Sequence, residues 1–303
     1  MILAADIGGT NIRAAIVTSD GTITDEMRSR IDLGDRNSSE NDLIERISHF
    51  FAKIIQGHDN ITAVGVGFPG FFIGNSGVLV SSPNLPNLHH VHFAEKLSEH
   101  LKIPVKIQND ALCAAIGEHR FGAGSGISNL LHITLGTGVG GGLILNNTPH
   151  TGESGMAMEF GHLRVVHNDF ARQCGCGGKG CLEAYASATA IKSLYSEATG
   201  ERLGAREIQK LAHNDDQGAL QLFENAGHYL GMSIAEAVKL LDVHTITISG
   251  GLTGAWSLFH PTVIESLNEN LIPPLKGKIN VLKSTLNDNA GLLGAAALTH
   301  FSD

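Results

Sequence analysis

Apolar residues follow two different spacings along the chain, and each spacing predicts its own kind of element. Short apolar runs of strand length start with "ILAADI" and recur as "ITAVGVGF" and "TITIS". Apolar positions three and four residues apart predict helices over residues 40–56, 93–101, 205–214 and 216–240. Because the predicted helices alternate with buried strands, the pattern indicates an α/β fold with helices on the faces of mixed sheets.

Turn residues mark several further elements. "IRAAIVTSDGTITDEMRSRI" predicts two strands joined at Asp20 and Gly21. The strand "PVKIQND" leads into a helix of small residues that begins near Ala111. "NLLHITLGTGVGGGLILNN" predicts two buried strands around a glycine turn, and "NAGLLGAAALTHF" predicts a closing helix.

The composition is typical of a globular protein. The 303 residues are 42% hydrophobic and 17% charged, which allows two domains with a substantial core. The net charge of −9 argues against a nucleic-acid-binding surface. The opening "MILAADIGGT" does not resemble a signal peptide, and no apolar run reaches membrane-spanning length. We therefore expect a cytoplasmic enzyme with neither a nucleic-acid nor a membrane partner.

Three glycine turns follow buried strands and suit phosphate binding. In "DIGGTNIR" the glycines let backbone amides approach an anion, and the Thr10 hydroxyl can donate to phosphate. Asp6 would then need a divalent cation between its carboxylate and the phosphates. "LGTGVGGG" repeats the arrangement around Thr137, and "ISGGL" would let a base and ribose pass the backbone. One such turn is equally well a plain hairpin, whereas three predict a nucleotide cleft between two domains that share a fold.

Asp110 is the candidate general base. "IQNDALCAAIGE" places it between a strand and a helix, where a carboxylate can take the proton of a hydroxyl that attacks phosphate. The alternative is that Asp110 only caps the helix that begins at Ala111. Asn84, in the Pro-flanked loop "SPNLPN", either hydrogen-bonds ligand hydroxyls or belongs to an ordinary turn.

Two carboxylates and one imidazole later in the chain point to a polyhydroxylated ligand. "MEFGH" contains Glu159 and His162, and Glu183 follows the last clustered cysteine by two residues. Buried carboxylates without partners are costly, so a ligand with many hydroxyls is a suitable common partner.

Taken together, these motifs resemble the ROK family (repressors, open reading frames and kinases), within the actin-like ATPase superfamily. The resemblance covers nearly the whole chain and is carried by "DIGGT", "FPG", "QNDA", "FGAGSG", "LGTGVGGG", "EFGH", "CGCGGKGCLE", "SGGL" and the terminal "GLLGAAAL". It implies a two-domain actin-like (ribonuclease H-like) ATPase fold with a cleft between the domains. The expected domains are residues 1–112, completed by a C-terminal helix at 288–303, and residues 113–287 with a zinc site.

The resemblance also implies roles for individual residues, with Asp110 as the catalytic base. The positions implied to contact the sugar are Gly70, Asn84, Asn109, Asp110, Glu159, His162 and Glu183. The positions assigned to ATP and its Mg²⁺ are Asp6, Gly8, Gly9, Thr10, Asn11, Thr137 and Gly138, together with Gly250 and Gly251 of the third glycine turn.

The stretch "CGCGGKGC" gathers three of the chain's four cysteines into eight residues. In a cytoplasmic protein such clusters more often bind metal or do redox chemistry than form a disulfide. A closed set of four ligands, suited to structural zinc and implied by the resemblance, consists of His162, Cys174, Cys176 and Cys181, with free thiols as the alternative. The zinc is expected to orient Glu183 and His162 toward the sugar and to matter less for the phosphate loops.

The implied reaction is ATP-dependent phosphorylation of a hexose at its 6-hydroxyl. Glucose is favoured, N-acetylglucosamine and N-acetylmannosamine come next, and fructose is less favoured. The sugar loop "NLPNLHHVHF" has Leu88 and histidines where many glucose-phosphorylating relatives have a tryptophan, and this departure weakens the choice among sugars.

Two other classes of protein are disfavoured. A sugar-sensing transcriptional repressor of the same family would need an N-terminal helix-turn-helix, and the first phosphate strand begins at Ile2. The Asn-Asp pair and the zinc ligands argue against an acetate kinase or a chaperone ATPase. The resemblance further implies a homodimer.

Overall fold

The computed structural model describes residues 1–31, 39–82, 85 and 87–301 of the chain. Its strands are Ile2–Ile7 (β1), Asn11–Val17 (β2), Ile23–Arg30 (β3), Ala63–Phe68 (β4), Phe71–Phe72 (β5), Val78–Ser81 (β6), Val91–His92 (β7), Val105–Asn109 (β8), Leu130–Leu135 (β9), Val139–Leu145 (β10), Thr148–Pro149 (β11), Thr245–Ser249 (β12) and Asn280–Lys283 (β13). Its α-helices are Glu40–Ile55 (α1), Phe93–Leu101 (α2), Asp110–Phe121 (α3), Glu183–Ala186 (α4), Ala188–Thr199 (α5), Ala205–His213 (α6), Gln217–Leu241 (α7), Trp256–Asn270 (α8) and Ala290–Leu298 (α9). The predicted α/β class is confirmed.

Contacts within the chain group it into two compact units. The first consists of Met1–Ser128, Gly142–Met158 and Thr285–Asp303, and the second of Asn129–Gly141 and Glu159–Ser284. The predicted boundary at residue 112 stays a prediction, and both α3 and α9 belong to the first unit. In the described part of the chain, no helix is at once long enough and apolar enough to cross a bilayer.

The first five-stranded sheet has the strand order β3-β2-β1-β4-β8. Strand β1 pairs antiparallel with β2 and parallel with β4, and β4 pairs parallel with β8. In this register Asp6 lies opposite Gly67, and Gly67 lies opposite Gln108. The carboxyl ends of β1, β4 and β8 therefore meet at one edge, which is where α/β sheets place their ligand-binding residues.

The second five-stranded sheet repeats this arrangement with the order β11-β10-β9-β12-β13. Strand β12 pairs in parallel with β9 and β13, and Ser249 lies opposite Thr134. In both sheets the first strand is flanked by the following two strands on one side and by later parallel strands on the other. The repeated order agrees with the predicted pair of related folds and with the actin-like class that the resemblance implies.

Small residues let α9 pack closely on α3 in the first unit. A Cβ on Gly294 would lie well inside 3.0 Å of the Cys113 backbone, and one on Gly117 would lie equally close to the Ala290 carbonyl. No side chain fits at either position, so the glycines of "GLLGAAAL" have a packing role. This contact anchors the helix that begins with Asp110.

Candidate functional site

Helix α3 is capped by Asn109, and Asp110 is the first residue of the helix. Asn109 Oδ1 accepts hydrogen bonds from the amides of Ala111 and Leu112 at 2.9 and 3.2 Å. Asp110 only shares the Ala111 amide, through Oδ1 at 2.9 Å. The prediction that the helix begins at Ala111 was late by one residue, and the capping role considered for Asp110 is filled by its neighbour.

The carboxyl groups of Asp6 and Asp110 share the carboxyl edge of the first sheet. Burial raises the pKa of Asp110. Burial, and then the charge of Asp110, raises the pKa of Asp6 to about 6, although Arg13 acts in the opposite direction. Among the described residues, none donates a hydrogen bond to the Asp6 carboxylate. Two acids with raised pKa values at one sheet edge are typical of a functional site.

Arg13 ties this edge to the start of α9, and the sequence analysis missed it. Its guanidinium donates to the Asp288 carbonyl at 2.7 Å, to Asn289 Oδ1 at 2.6 Å and to Glu26 Oε2 at 2.7 Å. Arg13 also lies opposite Asp6 in the β1–β2 ladder. The available signal was a lone charge within the apolar strand "NIRAAIV", but its partners near residue 288 are too distant in sequence to be deduced.

The turn between β1 and β2 exposes the residues assigned to phosphate. The Gly8 amide donates to the Asn11 carbonyl at 2.8 Å and closes the turn, which contains Gly9. Asn11 Nδ2 donates to Thr10 Oγ1 at 3.1 Å, and Thr10 is exposed. The contact from Asn11 leaves the Thr10 hydroxyl hydrogen available to an external acceptor.

The turn between β9 and β10 has a similar form. The Gly136 amide donates to the Gly138 carbonyl at 3.0 Å, so Thr137 lies at the exposed tip. Below the tip, the Val139 amide donates to Glu183 Oε2 at 3.0 Å. Glu183 therefore lies directly under a turn assigned to phosphate, a contact that the sequence analysis did not foresee.

The turn after β12 depends on glycine at its first position. Gly250 has φ 94°, and a Cβ there would lie well inside 3.0 Å of the Leu135 backbone. The Thr253 amide and hydroxyl both donate to the Gly250 carbonyl, at 3.0 and 2.8 Å. Gly251 follows and is exposed. Because β9 and β12 are parallel neighbours, this turn and the Thr137 turn lie at the same end of their sheet.

The four predicted metal ligands come together in the second unit. The ligand atoms of His162, Cys174, Cys176 and Cys181 all lie within 4.8 Å of one another. Cys174 Sγ is 3.7 Å from His162 Nδ1, and Cys176 Sγ is 3.7 Å from Cys181 Sγ. The backbone folds around them, since the Cys174 amide donates to the Gly178 carbonyl at 2.8 Å.

The other residues assigned to the sugar fall into two groups. Glu159 is exposed, and its Oε2 lies 3.7 Å from His162 Nε2, on the side of the ring away from the cysteines. In the first unit, Asn109 Nδ2 donates to the carbonyl of buried Gly70 at 3.2 Å, so one of its amide hydrogens holds the neighbouring turn. Asn84 lies outside the described residues.

Comparison with known proteins identifies relatives along the whole chain. The family model described as "ROK family" matches residues 2–301. A glucokinase of Thermotoga maritima is 30% identical over 98% of this chain and 96% of its own length. An N-acetyl-D-glucosamine kinase of Histophilus somni is 30% identical over 98% of both chains. Transcriptional regulators also occur among the relatives.

A solved structure shares the fold throughout. It is a ROK family glucokinase from Streptomyces griseus in complex with glucose and AMPPNP, which superposes with a TM-score of 0.83. The two sequences are 31% identical, and the match covers 98% of each chain.

Proposed function

Since the chain belongs to the ROK family, we propose that it transfers the γ-phosphate of ATP to the 6-hydroxyl of a hexose, with glucose favoured. The observation that carries the proposal is the placement of Asp110. It stands at the carboxyl edge of parallel strands, and burial raises the pKa of its carboxyl. A raised pKa strengthens a carboxylate as a base, while the helix cap is supplied by Asn109.

In this proposal Asp110 accepts the proton of the sugar 6-hydroxyl. The hydroxyl oxygen then forms a bond to the γ-phosphorus, the bond from that phosphorus to the bridging oxygen breaks, and ADP leaves. The turns around Thr10 and Thr137 supply hydroxyls and backbone amides to the phosphates. Gly250 and Gly251 line the path of the base and ribose.

Mg²⁺ fits the surroundings of Asp6. The carboxylate receives no hydrogen bond from the described residues, and it lies over Gly291, where a Cβ would be 3.2 Å from Oδ2. A half-buried carboxylate in this state is stabilised by a cation, and Mg²⁺ prefers oxygen ligands with part of its water shell retained. Asp6 would hold the ion, which neutralises charge on the phosphates when bound.

Zinc fits the cluster of His162, Cys174, Cys176 and Cys181. A tetrahedron with Zn–S bonds of about 2.3 Å has sulfur–sulfur edges of about 3.8 Å, close to the 3.7 Å between Cys176 and Cys181. Glu159 next to the free nitrogen of His162 is the kind of partner that orients a ligating histidine. Four protein ligands leave no open position, so the ion would be structural.

The residues that we propose to contact the sugar are those that the resemblance implies: Gly70, Asn84, Asn109, Asp110, Glu159, His162 and Glu183. N-acetylglucosamine and N-acetylmannosamine are the alternatives, and the kinase relative from Histophilus somni supports the first of them. Fructose is less favoured. A homodimer, implied by family membership, is tested by sedimentation equilibrium of the purified chain.

An ADP-release assay with MgATP over a panel of hexoses and 2-acetamido sugars tests the function. We expect turnover with glucose above all others, and ³¹P and ¹³C NMR of the product should place phosphate on the 6-oxygen. If the protein preferred a 2-acetamido sugar, N-acetylglucosamine or N-acetylmannosamine would replace glucose as the proposed substrate. Sugar binding without ADP release from any substrate would contradict the kinase and favour a sugar-sensing regulator.

A further inference from the structure

Two hydrogen bonds join the phosphate turn to the chain segment that follows the metal ligands. The Val139 amide donates to Glu183 Oε2 at 3.0 Å, and the Ala188 amide donates to the Gly136 carbonyl at 2.9 Å. They lie on either side of the exposed tip at Thr137. The backbone of the turn is therefore held from below at both of its ends.

Close packing reinforces these hydrogen bonds. A Cβ on Gly138 would lie well inside 3.0 Å of Glu183 Oε2, so the carboxylate lies directly against the backbone of the turn. A Cβ on Gly161 would lie equally close to the Val139 carbonyl. Glu183 and Gly161 are therefore packed so tightly against the turn that neither can move closer to it.

The segments that hold the turn also carry the metal ligands. Glu183 follows Cys181 by two residues, and its Oε1 lies 3.8 Å from Cys174 Sγ. Gly161 immediately precedes His162. The side chain of Glu183 therefore extends from the cysteine cluster to the amide of Val139, and its position depends on how the cluster is folded.

We propose that Glu183 is a positioning residue for the phosphate turn at Thr137 and Gly138, and that the metal loop orders this turn through it. The inference rests on the proposed function, because it takes the turn to bind nucleotide phosphate. A hydrogen bond from an amide to a carboxylate is stronger than one between neutral groups, and it fixes the direction of the adjoining peptides. This differs from the expectation that the metal serves the sugar residues and matters little for the phosphate turns.

Calorimetric titration with AMPPNP and no sugar tests the role apart from any contact of Glu183 with sugar. We expect Glu183→Ala to weaken AMPPNP binding about ten-fold and Glu183→Gln, which keeps an acceptor oxygen, to restore most of it. Elemental analysis should show the same zinc content in both variants as in the wild-type protein. Hydrogen exchange at Val139 should accelerate in Glu183→Ala.

Glu207→Ala is the matched control, since Glu207 also accepts a backbone amide, that of Gly204 at 2.7 Å, at the start of α6. It should leave AMPPNP affinity unchanged. Among the described residues, the Cys176 thiol contacts Cys181 and the Gly178 amide rather than Glu183 or the turn. Cys176→Ser should nevertheless weaken AMPPNP binding as Glu183→Ala does, because it removes one ligand of the proposed metal.

If Glu183→Ala bound AMPPNP as tightly as the wild type and protected the Val139 amide equally well, the positioning role would be wrong. The proposed function would still stand as long as the wild-type protein phosphorylated a hexose. Conversely, a wild-type protein that binds AMPPNP but phosphorylates no hexose would refute the proposed function, and the Glu183 effect would still be measurable. A wild-type protein that binds no AMPPNP would overturn both.

Discussion

The charge of Asp110 acts on Asp6, and together with burial it raises the pKa of Asp6 to about 6. The two residues are more than a hundred positions apart in the chain, and parallel strands β1, β4 and β8 bring them to one edge. Two consequences of this proximity can be measured separately: the stability of the protein should depend on pH through Asp6, and Asp110 should act as a proton acceptor.

Asp6→Asn should stabilise the nucleotide-free protein at pH 7.5. The pKa of Asp6 rises from an ordinary 3.8 to about 6 on folding, so the folded state binds more protons and wild-type stability falls as the pH rises from about 4 to about 6. The variant does not lose this stability. The difference in the free energy of unfolding is at most about 3 kcal/mol, and it is smaller where water screens the carboxylate. Thermal unfolding at several pH values measures it.

The gain in stability from Asp6→Asn should disappear near pH 3.5. At that pH the Asp6 carboxyl of the folded wild type is protonated, so it is as neutral as the amide of the variant. Asp20→Asn is the control, because the Thr18 hydroxyl lowers the pKa of exposed Asp20, and it should give no gain at pH 7.5. An Asp6→Asn protein whose stability parallels the wild type at every pH would contradict the raised pKa.

Asp110→Asn should lower kcat about 10²-fold or more while the protein stays folded. The amide keeps the volume of the side chain but cannot accept a proton, and Asn109 continues to cap α3. Asp216→Asn makes the same change at the cap of α7, where asparagine is an equally good cap, and should retain activity. Steady-state assays that found normal turnover in Asp110→Asn would remove Asp110 from the chemistry.

Gly138→Val should weaken nucleotide binding by more than about ten-fold. A Cβ at this position would overlap Glu183 Oε2, so the new side chain displaces Glu183 from the Val139 amide as well as crowding the phosphates. Gly57→Val is the control, since Gly57 is exposed and a Cβ there meets only the Ile54 carbonyl, at 3.7 Å. AMPPNP titration is the measurement, and wild-type affinity in Gly138→Val would be the contrary result.

The purified protein should contain one zinc per chain, and Cys176→Ser should lose it. A serine hydroxyl is a poor substitute for a thiolate on zinc, and Cys176 belongs to the four-ligand cluster. Cys113→Ala should keep the metal, because Cys113 is buried in the first unit and takes no part in the cluster. Elemental analysis decides the matter, and a zinc-free wild-type enzyme with full activity would refute the structural metal.

Local patterns in the sequence were sufficient to predict most elements and the cluster of potential metal ligands. The spacing of apolar residues marked the strands and helices, and glycine-rich sequences marked the turns at Gly8, Thr137 and Gly250. These features depend on neighbours in the chain, so the sequence is enough to find them. The spacing of Cys174, Cys176 and Cys181 likewise predicted a cluster that the structure brings together.

Only the tertiary structure decided what each polar atom contacts. Periodicity does not say that Asn109 takes the capping role beside Asp110, or that Glu183 reaches the Val139 amide 44 residues earlier in the chain. Two of the three partners of Arg13 described above are 275 and 276 residues away, and no local pattern specifies them. Such contacts depend on how strands and helices distant in sequence are packed, and their energies favour one arrangement of side chains only after that packing has formed.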